Sequence, residues 1–267
     1  MCEFCIKHGE GQKWYLAMQN YSRELWAHHQ RAKFMENFGA HFEDRLCRSV
    51  PLLDAVKDVP VVYNFVRRMV VRKEKAMHWG QVVPIEDVEE IVNLLDSVVR
   101  MPCACRSLTT GLKTRYCFGI GIDMAGILGK YPDYNDFEVL DREEAKNVLR
   151  SFDKQGIVHS VWTFKTPYIG AICNCDQDCL AYRLQVKTNL VQLMFRSEYV
   201  ALVNLDLCNG CKRCMPLCQF GAIRYSNATK RVTIGMNQCY GCGICRTACE
   251  KRAITLKPRT NFATLPW

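Results

Sequence analysis

The sequence predicts an α+β protein, mostly helical over its first two hundred residues and closed by a small cysteine-built domain. Three observations carry that prediction. Cysteine accounts for 17 of 267 residues. Eight of the cysteines fall in two copies of one pattern near the C-terminus. Before them, helix-period stretches with capping residues lead into a strand-like pair.

A chain of this length has room for a hydrophobic core or two. A secreted disulfide scaffold would normally be short and would begin with a basic, then apolar, leader. This chain opens MCEFCIKHGEGQKWY, which has no such pattern. Its apolar runs, "VVYNFV" and "RMVV", are too short and too close to arginine to span a bilayer. The expectation is therefore a cytoplasmic protein, in an anaerobic or low-potential setting, whose cysteines are metal-bound thiolates. The net charge of +9 is uneven: from Ala201 onward ten Lys or Arg stand against Asp206 and Glu250, a net +8. The basic character belongs to the cysteine-rich end, and a docking partner with an acidic face is expected there.

That end reads C-NG-C-KR-C-MPL-C at residues 208–218 and C-YG-C-GI-C-RTA-C at 239–249, with first cysteines 31 residues apart. Each copy continues into a similar phrase, "QFGAI" and "EKRAI", so two equivalent halves pack on one another. Three thiolates of a C-x2-C-x2-C loop wrap one cubane, and the fourth cysteine of each run ligates the other cluster. The expected sets are Cys208, Cys211, Cys214 and Cys249 for cluster I, and Cys239, Cys242, Cys245 and Cys218 for cluster II. Structural zinc would need neither the repeat nor the crossing. Residues 200–256 resemble the bacterial two-[4Fe-4S] ferredoxin domain, which implies two [4Fe-4S] clusters and electron transfer. Gln219 and Glu250 stand where that family usually has proline, which would loosen the turn after the fourth cysteine.

Earlier in the chain, residues 22–38 carry Leu25, Trp26, Phe34, Met35 and Phe38 at helical spacing behind Ser22 as N-cap. "VPVVYNFVRRMVVRKEKAM" is a second helix opened by Pro60. "PIEDVEEIVNLLDSVV" is a third, with Ile85, Val88, Ile91, Val92 and Leu95 on one face. Residues 141–156 form a fourth, capped by Asp141 with Glu144 three residues on and stopped by Gly156. "IVHSVWTF" and "YIGAIC" then pair as a hairpin. Helices followed by a hairpin are the plan of a winged-helix domain, which raises DNA as a partner. The helix at 141–156 has no net charge, however, and a helix meant for the phosphate-lined groove would be basic. "GIGIDMAG" at 119–126 reads as a packing loop, since no strand–turn–helix phosphate motif contains it.

Six further cysteines lie between these motifs: Cys103, Cys105, Cys117, Cys173, Cys175 and Cys179. Neighbouring thiolates of an extended C-x-C segment can share a metal centre, so two such pairs point to a third site, another Fe–S cluster or a four-thiolate zinc. The competing reading is buried inert thiols, which pack as small hydrophobes. Cys2, Cys5 and His8 have zinc-knuckle spacing, with Cys47 or one of the six as a fourth ligand.

Over residues 82–256 the order of these motifs is similar to a group of anaerobe 4Fe-4S ferredoxin-domain proteins, which carry a cysteine-bearing helical domain ahead of the dicluster module. In those proteins the "ICNC" region is richer in cysteine, whereas Asp176 and Gln177 interrupt it here. The domains expected are 1–80, 81–199 and 200–267. The function expected is an electron carrier, or an oxidoreductase subunit within a larger complex, rather than an autonomous enzyme. Two other readings are a redox or metal sensor that binds DNA or a partner, and an enzyme with an unusual catalytic Fe–S cluster.

Overall fold

The computed structural model describes residues 12–28, 30–38, 58–95, 98–122 and 136–262, with residues 41, 55, 126 and 265. The protein is α+β, as expected, but its first part is not mostly helical: a seven-stranded sheet runs through it. The strands are β1 (Gly80–Val82), β2 (Val98–Met101), β3 (Cys117–Ile120), β4 (Glu138–Leu140), β5 (Val158–Thr163), β6 (Ile169–Cys175) and β7 (Met194–Phe195), in the order β4-β2-β3-β6-β5-β1-β7.

The expected hairpin is β5–β6, with Val158 opposite Cys175 and Ser160 opposite Cys173. It is no wing. A wing ends its sheet, whereas β6 here pairs onward with β3 and β5 with β1. The winged-helix plan is therefore corrected. The strands flanking the hairpin span two to four residues each, too short to show alternation in the sequence. They are held by a central pair whose β5 is buried along its whole length.

The helices begin largely where the sequence signals them. They are α1 (Arg23–Ala27), α2 (residues 30–38), α3 (Pro60–Met77), α4 (Ile85–Asn93), α5 (Ala104–Thr110) and α6 (Arg142–Lys154), followed by α7 (Leu180–Tyr182), which runs into a π turn over Arg183–Lys187. Ser22 caps α1 by accepting from the Leu25 amide, and the expected 22–38 helix is broken after Ala27. The capping box of α6 is complete: Asp141 Oδ1 accepts from the Glu144 amide at 2.8 Å, and Glu144 Oε2 accepts from the Asp141 amide at 2.9 Å. α4 stops at Asn93, so Val98 and Val99, expected in that helix, belong to β2. Likewise Gly119 and Ile120 of the expected loop belong to β3.

The sheet has two packed faces. Val161, Ile172, Phe118 and Val98 join Val88 and Ile91 of α4 and Leu149 of α6 in one core. Val158, Trp162, Ala171 and Cys175 look the other way, with Phe34 and Phe38 of α2. Among the described residues no helix is long and apolar enough to cross a membrane.

The C-terminal unit is built of two two-stranded ladders, β8 (Tyr199–Val203) with β11 (Ile254–Pro258) and β9 (Ile223–Ser226) with β10 (Arg231–Ile234), plus the short α8 (Ile244–Thr247). Each ladder joins the strand before one cysteine run to the strand after the other.

Asp87 of α4, 1% exposed, ties three segments together. Its carboxylate accepts from Lys13 Nζ at 2.8 Å, Tyr15 Oη at 2.5 Å and Tyr199 Oη at 3.2 Å. Burial and the Asp87 charge hold the Tyr15 phenol far above its ordinary range, so it remains a donor. Removing one carboxylate that satisfies three donors leaves the buried Tyr15 hydroxyl, the half-buried Tyr199 hydroxyl and the partly exposed Lys13 ammonium without that acceptor. Asp87→Ala is expected to destabilise the fold by about 3 kcal/mol in urea denaturation.

Candidate metal centres

The two cysteine runs share one backbone conformation, repeated at the same 31-residue interval as the sequence. Gly210 and Gly241 both have φ +70°, Lys212 and Gly243 have +64° and +85°, and Gly221 and Arg252 have +64° and +51°. Left-handed residues bend each loop so that its thiols converge and its amides turn inward. The amide of Ala222 donates to Cys218 Sγ at 3.2 Å, and its repeat mate, Ala253, donates to Cys249 Sγ at 3.4 Å. Cys239 Sγ accepts from the amides of Ala201 and Gly241, at 3.4 and 3.3 Å. Such N–H···S bonds stabilise a thiolate.

The halves also cross. The Asn204 amide donates to the Ala253 carbonyl, and Gly235, the repeat mate of Asn204, donates to the carbonyl of Ala222, the mate of Ala253. As a result Cys218 joins Cys239, Cys242 and Cys245 around one cavity. Cys214 has Cys249, Cys211 and Cys208 as its neighbouring thiols. Burial, the largest cause, and then those thiols push Cys214 up to about 11. A thiol that resists ionising alone is deprotonated outright by a bound metal. The donor set, the amides and the cavity fit two clusters held by crossed sets.

The module is seated on the sheet unit by its second set. Gln219 does not leave a loose turn in place of proline. Its Nε2 donates to the Gly156 carbonyl at 3.0 Å, and its own carbonyl accepts from Tyr182 Oη. The rings of Phe220 and Tyr240 stack at 3.9 Å, and Tyr182 lies 6.3 Å from Phe220. Thr247 donates to Asp153 Oδ2 of α6 at 2.6 Å. Arg259, fully buried, donates to the Cys239 carbonyl at 2.9 Å and the Tyr199 carbonyl at 2.7 Å. Burial lowers its pKa to about 10, which still leaves it a cation beside Cys239 at neutral pH. Sequence reasoning missed Arg259, because a lone arginine beyond the last motif carries no local signal.

The six earlier cysteines come together. β3 and β6 pair Phe118 with Ile172, which sets Cys117 beside Cys173 with sulfurs 3.9 Å apart. Cys173 and Cys175 lie on one face of β6, as an extended C-x-C requires. The other pair differs from expectation: Cys103 is the N-cap of α5 and Cys105 lies within it, so only one of the two C-x-C pairs is extended. Cys117 donates to Cys173 and accepts from Cys103. Cys179, at the start of α7, accepts from Cys105 and Cys175, and with the amides of Tyr182 and Ala181 these draw its pKa well below that of an ordinary thiol. The same bond to Cys179, then burial, holds Cys105 and Cys175 well above. All fourteen described cysteines are free thiols. Among the described residues no three His, Cys, Asp or Glu side chains gather closely enough to hold a single metal ion. Cys2, Cys5, His8 and Cys47 lie outside the described residues.

Residues 207–254 match the family described as the 4Fe-4S dicluster domain. The chain therefore ends in a ferredoxin-type iron–sulfur domain. Comparison with curated proteins found no match.

A Cβ at Gly241 would stand 2.1 Å from the Tyr199 carbonyl and 2.2 Å from Ser197 Oγ. Gly241→Ala is accordingly expected to disrupt the inner cysteine set, Cys218, Cys239, Cys242 and Cys245, and to spare the outer one, Cys208, Cys211, Cys214 and Cys249. Iron and acid-labile sulfide should fall by about four each per chain.

Proposed function

We propose that the protein is an iron–sulfur electron carrier, or the electron-transfer subunit of a larger oxidoreductase. The observation that carries this reading is the crossed arrangement, Cys218 with Cys239, Cys242 and Cys245, and Cys249 beside Cys214. When bound, two [4Fe-4S] clusters supply one-electron chemistry. The chain's own part is to hold eight thiolates, to aim amides at their sulfurs and to set the surrounding charge. Cys242 of one set packs with residues of the sheet unit, while Cys211 of the other set is exposed. An electron would thus leave or arrive at the Cys211 end.

That end is basic. Lys212 sits over the Tyr225 ring at 3.9 Å, and Arg213 pairs with Glu250 across the two repeats. A thiolate-bound oxidised cluster carries about −2, so two of them reduce the +8 counted from Ala201 onward to about +4. The residual positive charge supports docking to an acidic face of a redox partner and raises the potential of a reduced cluster.

The test is the rate of electron exchange with an acidic oxidoreductase, followed by stopped flow at low ionic strength. Lys212→Glu with Arg213→Glu is expected to slow it about tenfold and to flatten its salt dependence. An unchanged rate would place docking on another face.

A further inference from the structure

We propose that four of the six clustered thiols, Cys117 and Cys179 among them, hold a third iron–sulfur centre, with the buried guanidinium of Arg106 as its fixed counter-charge. The proposal draws on the electron-transfer reading for the role of the centre, not for its existence.

Four separate pieces of chain deliver the thiols: the start of α5, β3, the end of β6 and the start of α7. Buried thiols from so many elements are not needed to fill a core, where Val or Ala would pack without a proton to satisfy. Cys117 is central to one group of three and Cys179 to the other.

Arg106 is the independent observation. It is 5% exposed and lies on α5 one residue beyond Cys105. Its Nη1 reaches Asp176 at 3.0 Å and Asp178 at 3.6 Å, and its plane covers the Tyr116 ring at 3.8 Å. Its Nε and Nη2 are buried with no partner. Orphaned guanidinium donors are costly away from water. Cys103 is close enough to act on Arg106 electrostatically. Thiolate and sulfide sulfurs of an anionic cluster would accept those donors and match the charge.

Location favours iron–sulfur over zinc, because redox-inert zinc could not exchange an electron with the neighbouring ferredoxin set. With Zn–S near 2.3 Å, all four sulfurs of a zinc site lie about 3.8 Å apart around one point. Cys117 and Cys173 stand at that distance, but no three ligands gather in this way among the described residues. The same is true of the eight cysteines in the segment that matches the dicluster family.

The location gives the centre a redox partner. Cys105, Cys173, Cys175 and Cys179 share one apolar body with Phe220, Tyr240 and Cys242 of the inner ferredoxin set. One electron passing between the two centres oxidises one and reduces the other, with no further reactant.

The experiment is iron, acid-labile sulfide and zinc per chain in anaerobically purified full-length protein, repeated on the Cys117→Ser/Cys179→Ser variant. About 12 iron and 12 sulfide without zinc, falling to about 8 of each in the variant, is the expected result. About 8 iron in the parent, with or without one zinc, overturns the proposal, as does a variant that keeps all 12. About 4 iron in the parent that the variant abolishes would uphold this centre and sink the dicluster reading instead. Arg106→Gln should keep the iron and lower the potential of one centre in an EPR-monitored titration. Unchanged potentials at full iron content would remove Arg106 from the proposal. The parent count alone decides the matter if the double variant fails to fold.

Discussion

The carboxylate of Asp87 fastens the two units of the protein to each other. A buried anion is stable only where donors surround it, and its three come from the N-terminal segment and from β8 of the ferredoxin module. β8 leads directly into the first cysteine run, and its Ala201 amide reaches Cys239 in the second. Fixing Tyr199 therefore fixes the base from which both loops spring. Around this tie the same logic continues. Gln81 accepts from the Trp14 indole and donates to Glu198, while Arg259 joins Tyr199 to Cys239. Each is a buried polar group whose partner lies far away in sequence, so the seam between units is specified by polar matching as much as by apolar area.

What could be read from the sequence was what lies close together in it. The two cysteine runs declare their chemistry by spacing, and the left-handed positions at 210 and 241 follow the same interval. The capping box of α6 and the β5–β6 hairpin needed only neighbours a few residues apart. The rest of the sheet was hidden for a physical reason. β1, β4 and β7 are edge or near-edge pieces of two or three residues, and their pairing is settled by a distant strand rather than by their own pattern. β2 was mistaken for the end of a helix because Val98 and Val99 continue an apolar run. The two C-x-C pairs pointed to a shared site, but which sulfurs meet is settled by the distant pairing of β3 with β6. The role of α5 in presenting Cys105, and the buried Arg106 beside it, had no local signature.

The ferredoxin repeat is twofold within itself but not in its surroundings. Cys211 and Cys242 hold equivalent places 31 residues apart, yet Cys211 is exposed while Cys242 packs beside Phe220 and Tyr240 against the sheet unit. The backbone and side-chain N–H groups of Arg213, together with its charge, also lower the pKa of Cys211, which favours the reactive thiolate form. Peroxide, a chelator or an alkylating agent arriving from water meets this sulfur before its mate. The two halves of one repeat thus differ in their access to water-borne reagents, Cys242 being covered by the stacked rings of Phe220 and Tyr240.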